Sequence, residues 1–108
     1  MEIDIQKALS FMWKNSDAYA KAKANVVYMT EFRKSTKAIC FQNSLRSTMA
    51  EKEADAYSHP DYIKVLEGIR AAVEEAEALR WKLIASQASV EVWRSQEASN
   101  RNIDRSTQ

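Results

Sequence analysis

Residues 65–93 read VLEGIRAAVEEAEALRWKLIASQASVEVW, and apolar side chains recur along them at alternating steps of four and three residues. The positions in that register are Val65, Ile69, Ala72, Ala76, Leu79, Leu83, Ser86, Val90 and Trp93. This heptad spacing is typical of an α-helix that packs one face against a partner helix. We therefore predict a long helix here, within an all-α protein.

A second apolar stripe lies on roughly the opposite side of the same predicted helix. It consists of Trp81, Ile84 and Ala88, which a simple two-helix hairpin would leave in water. A helix with apolar residues on two sides needs partners on two sides. The sequence thus predicts a homo-oligomer, a dimer or larger, with these three residues in the oligomer interface.

The composition is typical of helices joined by few turns. The 108 residues include one Gly and one Pro, whereas these residues make up ~7% and ~5% of average proteins. Hydrophobic residues are 45% of the chain and charged residues 29%, which is enough apolar content for folding. A narrow core between helices supplies little stability, so association of subunits would stabilise the fold. We predict a single helical domain over residues 1–108.

The clearest helix boundary is the segment Ser58-His59-Pro60-Asp61. Pro suits the first turn of a helix, Ser58 can cap the free amides there, and Asp61 suits the positive helix end. We expect one helix from about residue 61 to about residue 101, followed by a frayed tail over about 102–108.

The chain before this boundary is expected to form further helices. Thr48 and Glu51 have the spacing of a capping box, which predicts a short helix after a break at residues 42–48. The preceding helix should start near Asn15-Ser16-Asp17, with residues 3–14 as a separate helix or as its extension. Its apolar stripe would cover the downstream heptad positions and consists of Ala22, Val26, Met29, Phe32, Thr36, Ile39 and Cys40. The predicted fold is a long antiparallel helical hairpin, coiled-coil-like, with an extra N-terminal helical segment.

The net charge is +1, which excludes no class of partner, but basic residues are grouped along the chain. One stripe of the long helix carries a polar residue at every seventh position: Arg80, Gln87, Arg94 and Arg101. A chain reversal at Pro60 would bring the basic residues 33–37 level with about residues 80–82. The candidate contact residues for an acidic protein or a nucleic acid are Arg33, Lys34, Lys37, Arg80, Arg94 and Arg101. The alternative is that these residues form a solvated face, or that the basic and acidic ends of different subunits pair with each other.

Reaction-specific motifs are missing from the sequence. A phosphate-binding loop needs several glycines, and His59, the only imidazole, lies between Ser58 and Asp61 at a helix start, where a cap is the commoner role. Cys40 lies on the apolar stripe and is more simply a buried small residue than a reactive thiol. The acidic residues at 74–77 are more simply a solvated face than a metal site. We predict no enzymatic activity, no metal and no cofactor.

Two observations bear on location. The sequence contains no run of ~18 apolar residues to cross a membrane, and its opening Met-Glu-Ile-Asp lacks the features of a targeting signal. A single cysteine suits a reducing compartment. We expect a cytoplasmic protein without membrane contact.

Four blocks carry a resemblance to known proteins: Glu31-Phe32-Arg33-Lys34-Ser35, Ala56-Tyr57-Ser58-His59-Pro60-Asp61-Tyr62, Ala78-Leu79-Arg80-Trp81-Lys82-Leu83 and Glu91-Val92-Trp93-Arg94-Ser95. Over roughly residues 17–101 the chain resembles small helical proteins encoded by tailed phages and prophages, often among early genes for DNA recombination and replication. The resemblance implies the cytoplasm of a bacterial host and a setting in DNA metabolism. It implies no reaction and no catalytic residue.

Three classes of function follow from these features. The first is a non-enzymatic accessory protein that binds a phage or host protein of DNA recombination or replication through its outer helical surfaces. The second is weak, direct nucleic-acid binding along the basic residues, and the third is a structural or assembly role. A surface patch that stays exposed after oligomerisation would indicate a protein-binding accessory role. Continuous positive potential across the subunits would indicate nucleic-acid binding, and open-ended association would indicate an assembly role.

Overall fold

The computed structural model describes residues 2–107, and this part of the chain contains three α-helices and no strand. The helices are α1 (Ile5–Gln42), α2 (Met49–Ser58) and α3 (Pro60–Thr107). The predicted all-α fold is confirmed, and the arrangement is consistent with a long helical hairpin. Met1 and Gln108, which open the predicted N-terminal segment and close the predicted tail, lie outside the described residues.

Helix α1 begins earlier than predicted. Asn15 Nδ2 donates a hydrogen bond to the Phe11 carbonyl at 2.9 Å, and Ser16 Oγ donates to the Trp13 carbonyl at 3.4 Å. Both side chains therefore bond back to the preceding turn of α1 instead of capping a new helix. The predicted start near Asn15 is wrong, and the residues before it extend α1 rather than forming an extra segment.

The predicted break at residues 42–48 is confirmed, and so is the predicted helix start with Thr48 as its cap. Helix α1 ends at Gln42 and α2 begins at Met49. The Glu51 N–H donates to Thr48 Oγ1 at 3.2 Å, and the Thr48 hydroxyl donates to Glu51 Oε1 at 3.0 Å. Thr48 thus satisfies one of the free amides at the start of α2.

The junction between α2 and α3 is a single residue, His59. Its Nδ1 accepts a hydrogen bond from the Asp61 N–H at 3.0 Å and so caps α3. The predicted cap at Ser58 is wrong, because Ser58 completes the last turn of α2 and its hydroxyl donates to the Ala54 carbonyl at 2.8 Å. Helix α3 continues to Thr107, past the predicted end near residue 101.

The chain divides into two compact units through which both α1 and α3 pass. We call Ala20–Glu77 the central unit, and Met1–Tyr19 with Ala78–Gln108 the terminal unit. In the central unit, α1 and α3 are antiparallel, because Met29 lies beside Gly68 while Cys40 shares a groove with residues 61–65.

In the terminal unit, the start of α1 lies beside α3. Ala8 and Phe11 line one pocket together with Ala85, Ser86 and Ser89. No helix in the described part of the chain has the length and hydropathy of a membrane span.

The predicted heptad face of α3 is confirmed. Every one of its positions from Val65 to Trp93 is buried or half-buried, and we call them the α3 seam. In the central unit the contact is built from small side chains, since Ala22 of α1 and Ala72 and Ala76 of α3 are all buried. Small residues at a helix contact permit a short distance between the helix axes.

The facing stripe of α1 differs from the prediction at three positions. Phe32 and Ile39 remain 46% and 57% exposed, whereas Arg33 is half-buried. Steps of four and three residues from Met29 lead to Arg33 and then to Thr36, so Phe32 and Ile39 flank the contact instead of lying in it. The buried Thr36 hydroxyl donates to the Phe32 carbonyl at 3.3 Å, which satisfies it within the helix.

Candidate interaction surfaces

Three of the predicted contact residues lie together in the central unit. Arg33, Lys34 and Lys37 line a groove of about 310 Å³ with Tyr57 of α2 and Tyr62 of α3. Residues three or four apart on a helix are neighbours on its surface, which is why these cations are adjacent.

The predicted alignment of these cations with residues 80–82 is wrong. It assumed that the chain reverses at Pro60 alone, whereas the reversal also takes up residues 43–48 and the whole of α2. The cations therefore meet the end of α2 and the first turn of α3. Arg33, Lys34 and Lys37 belong to the central unit, and the remaining predicted contact residues, Arg80, Arg94 and Arg101, belong to the terminal unit.

Lys37 connects α1 to α2. Its Nζ donates a hydrogen bond to Tyr57 Oη at 2.6 Å, lies 3.3 Å from Glu53 Oε1, and stands 4.0 Å from the centre of the Tyr57 ring. The hydrogen bond to Tyr57 raises the pKa of Lys37 above its ordinary 10.5; desolvation opposes this shift and Glu53 adds to it. The Tyr57 ring in turn meets Tyr62 edge to face, with ring centroids 5.5 Å apart.

A second pocket adjoins the first and has a more apolar lining. It measures about 470 Å³ and shares Lys34 and Lys37 with the first pocket. Its other lining residues are Ala38, Phe41, Gln42, Met49 and Glu53. Met49 is 75% exposed, and Lys52 Nζ lies 5.9 Å from the centre of the Phe41 ring. We call the two pockets together the Lys37 groove.

Acidic neighbours accompany several of the predicted contact residues. Lys34 pairs with Glu31 at 3.0 Å, and Arg94 pairs with Glu91 at 3.3 Å, each within one helical turn. The Arg80 guanidinium lies 5.1 Å from the centre of the Trp81 ring. Exposed ion pairs contribute only ~0–1 kcal/mol. They nevertheless reduce the positive potential that a polyanion would meet.

The predicted oligomer interface is exposed on the single chain. Trp81 is 60% exposed, Ile84 is 37% exposed, and Ala88 is also exposed. Val92 and Ile103 are exposed as well, and they follow Trp81 by one and by two intervals of eleven residues. Eleven residues make three turns of a helix almost evenly, so these side chains share the face of Trp81. We call Trp81, Ile84, Ala88, Val92 and Ile103 the outer face of α3.

A further apolar groove lies in the central unit. It measures about 420 Å³, and its lining includes Phe32 and Ile39 of α1 and Val65 of α3. Asp61 and Lys64 also line it, so both signs of charge are present.

Sequence reasoning missed part of each surface. Val92 and Ile103 could have been found, because their spacing from Trp81 is readable. Tyr57, Phe41 and Met49 carried no such signal, since their place in the Lys37 groove depends on how α2 packs against α1.

The residues of this chain that could carry chemistry are its histidine, its cysteine and the acidic residues of α3. His59 caps α3, as the cap interpretation of this segment predicted, and Cys40 is a buried free cysteine. The acidic residues at 74, 75 and 77 are exposed. Within residues 2–107 no group of three His, Cys, Asp or Glu side chains is placed to hold a metal ion.

Fold and surfaces together define an all-α protein of paired long helices with exposed apolar and basic faces. No protein-family model, curated protein sequence or solved structure matches the chain. The resemblance to phage and prophage proteins stays a prediction.

Proposed function

We propose that this chain is a non-enzymatic accessory protein of a phage or prophage, which self-associates in the cytoplasm of its bacterial host and binds a protein of DNA recombination or replication. The observation that carries the proposal is the exposed outer face of α3. The phage setting rests on the sequence resemblance.

The energy available on the outer face of α3 favours association. A Trp side chain buries ~150–250 Å² when fully covered. Trp81 is 60% exposed, so covering its remaining surface would contribute ~2–4 kcal/mol at ~25 cal/mol per Å². Ile84, Val92 and Ile103 add to this along the same face. Among the described residues no large side chain is fully buried. The core of the single chain is therefore small, and burial of apolar surface between subunits would add to its stability.

A second copy of the chain is the simplest occupant of this face. In a twofold dimer the same patch of both subunits meets, and an apolar helix face is complementary to itself. Other surfaces, the Lys37 groove among them, then stay available for a different protein. An accessory protein that presents a partner site on a self-associated helical frame needs both kinds of surface.

The charges favour a protein partner over a nucleic acid. Lys34, Lys37 and Arg94 each have a carboxylate within 3.3 Å. Each such carboxylate offsets charge that would otherwise displace counterions from a phosphate backbone. Direct nucleic-acid binding is the second candidate, supported by the cluster of Arg33, Lys34 and Lys37.

Light scattering on the purified protein tests self-association. We expect a dimer or larger assembly at micromolar concentration, and we expect Trp81→Glu to dissociate it, because the change would bury an unpaired charge. Trp13→Glu is the matched control, since Trp13 is 86% exposed on α1 and lies off the outer face of α3. A monomeric wild type contradicts self-association, and equal dissociation by Trp13→Glu contradicts the choice of face.

Capture from phage-infected or prophage-induced cells tests the partner. We expect tagged wild-type protein to retain a protein of DNA recombination or replication, identified by mass spectrometry against a tag-only control. Recovery of nucleic acid alone, or of nothing above the control, contradicts the proposed function.

A further inference from the structure

We infer that the Lys37 groove binds an acidic peptide segment that carries a large apolar side chain next to its carboxylates. The inference rests on the proposed function, because it names the chemistry by which a protein partner is recognised. The groove lies wholly within the central unit, on α1, α2 and the first turn of α3.

Positive charge exceeds negative charge around the groove. Arg33, Lys34, Lys37 and Lys52 lie at its walls or against Phe41, and Glu31 and Glu53 are the acids paired with these cations. The two ion pairs are exposed, so each contributes little stability. They still reduce the attraction of Lys34 and Lys37 for any anion, so the carboxylates of a ligand contribute mainly to its orientation and the adjoining apolar pocket has to supply much of its affinity.

An apolar pocket directly adjoins these cations. Phe41, Ala38 and the exposed Met49 line it, and Lys34 and Lys37 are common to both pockets. Successive residues of an extended peptide are ~3.3 Å apart. One peptide can therefore place a carboxylate beside the cations and the next side chains in the apolar pocket. Met adapts its shape to a partner side chain, which suits a pocket that opens to solvent.

The arrangement of the tyrosines disfavours a nucleic-acid strand at this position. Proteins that bind single strands present aromatic faces on which bases stack. Here the Tyr57 ring has Lys37 Nζ 4.0 Å from its centre, and Tyr62 meets the same ring edge to face. Neither tyrosine offers the open, parallel platform that a base requires.

Fluorescence polarisation with two synthetic peptides tests the inference. The probe is a fluorescein-labelled peptide of four aspartates followed by phenylalanine, and the matched ligand has serine in place of the phenylalanine. We expect the phenylalanine peptide to bind about tenfold more tightly, because burial of that ring is a favourable apolar transfer. Equal affinity for the two peptides, or tighter binding of a labelled single-stranded DNA, would overturn the inference.

Four variants of the full chain locate the binding. We expect Lys34→Ala and Met49→Ser each to weaken the phenylalanine peptide about fivefold, and Glu53→Gln to tighten it by a smaller factor because a competing carboxylate is removed. Lys23→Ala is the matched control, since Lys23 is exposed on α1 two heptads before Lys37. A loss with Lys23→Ala equal to that with Lys34→Ala overturns the assignment to this groove.

Light scattering on the same samples separates the two proposals. If the peptides fail to bind wild-type protein that still assembles and still captures a partner from cells, the inference about the groove is wrong and the proposed function stands. Because Lys34 and Met49 are exposed, their variants should keep wild-type helicity, which circular dichroism checks.

Discussion

At the scale of residues, polar side chains cap α2 and α3 and form a contact between α1 and α2. Thr48 and His59 cap α2 and α3, whereas Asn15 and Ser16 bond back within α1 and let it continue. Lys37 joins α1 to α2 through Tyr57 and Glu53. Polar side chains thus either start a helix or bond back within one, according to which carbonyl or amide lies in reach.

The contribution of Lys37 to stability should depend on pH in a defined direction. Because the hydrogen bond to Tyr57 raises the pKa of Lys37 in the folded protein, its contribution is complete below 10.5 and is lost as the pH rises through the folded value. We expect Lys37→Met to lower the melting temperature at pH 7 to 9, and the difference from wild type to narrow above about pH 10.5. Thermal melts followed by circular dichroism measure this. Lys23→Met should show no such trend, and a difference that grows at high pH contradicts the assignment.

The cap at His59 should have a modest structural effect. Removing the Nδ1 acceptor in His59→Ala should cost at most ~1 kcal/mol, the typical value of a lost cap. Ser58→Ala should cost less, because the Ser58 hydroxyl donates to a carbonyl that α2 already satisfies in part. Urea unfolding measures both changes. Loss of partner capture by a folded His59→Ala protein would give His59 a role in binding.

At the scale of elements, heptad spacing determines which faces of α1 and α3 are covered. The α3 seam follows the spacing throughout, and its facing stripe on α1 includes the half-buried Arg33. Phe32 and Ile39 are apolar but lie beside the contact. Residue type alone is therefore a poorer guide to burial in this chain than position in the heptad.

Gly68 is a point at which α3 can be stabilised. An added Cβ would lie 2.5 Å from Met29 Cε, the flexible end of a side chain that can move aside. We expect Gly68→Ala to raise the free energy of unfolding by up to ~1 kcal/mol through helix propensity. The control Ala71→Gly, at an exposed position of the same helix, should lower it by a similar amount. Urea unfolding measures the free energy of unfolding of both variants. A lower value for Gly68→Ala than for the wild type would show that Met29 has no room to move.

At the scale of the whole molecule, each unit buries small residues and leaves large ones exposed. The buried apolar residues are mostly alanines, whereas Trp81, Met49 and Ile39 are more than half exposed. Such a distribution suits a protein whose remaining apolar surface is covered by association.

DNA binding should be weak and sensitive to salt. If the six predicted basic residues contacted duplex DNA, the log-log slope of affinity against salt would be about −0.9 per neutralised phosphate, and about −0.7 for single strands. We expect weak binding at most, because Lys34, Lys37 and Arg94 already pair with carboxylates. The double variant Arg80→Glu, Arg94→Glu should then have nearly the same weak affinity for DNA as the wild type. Tight wild-type binding at ~150 mM salt, abolished by these changes, would favour the nucleic-acid function.

The sequence by itself determined what depends on neighbours along the chain. Heptad spacing marked the α3 seam, Thr48 and Glu51 marked the start of α2, and the position of Trp81 opposite the seam marked it as exposed. Spacing and capping act within one or two helical turns, so a single segment is enough to predict them.

Only the tertiary structure decided which segments meet. The Lys37 groove depended on the packing of α2 against α1, which brings Tyr57 beside Lys37. A shift of a few residues in the place where the chain reverses changes every pairing between two long helices, although each helix keeps its own pattern. That is why Lys37 lies beside Tyr57 rather than beside residues 80–82.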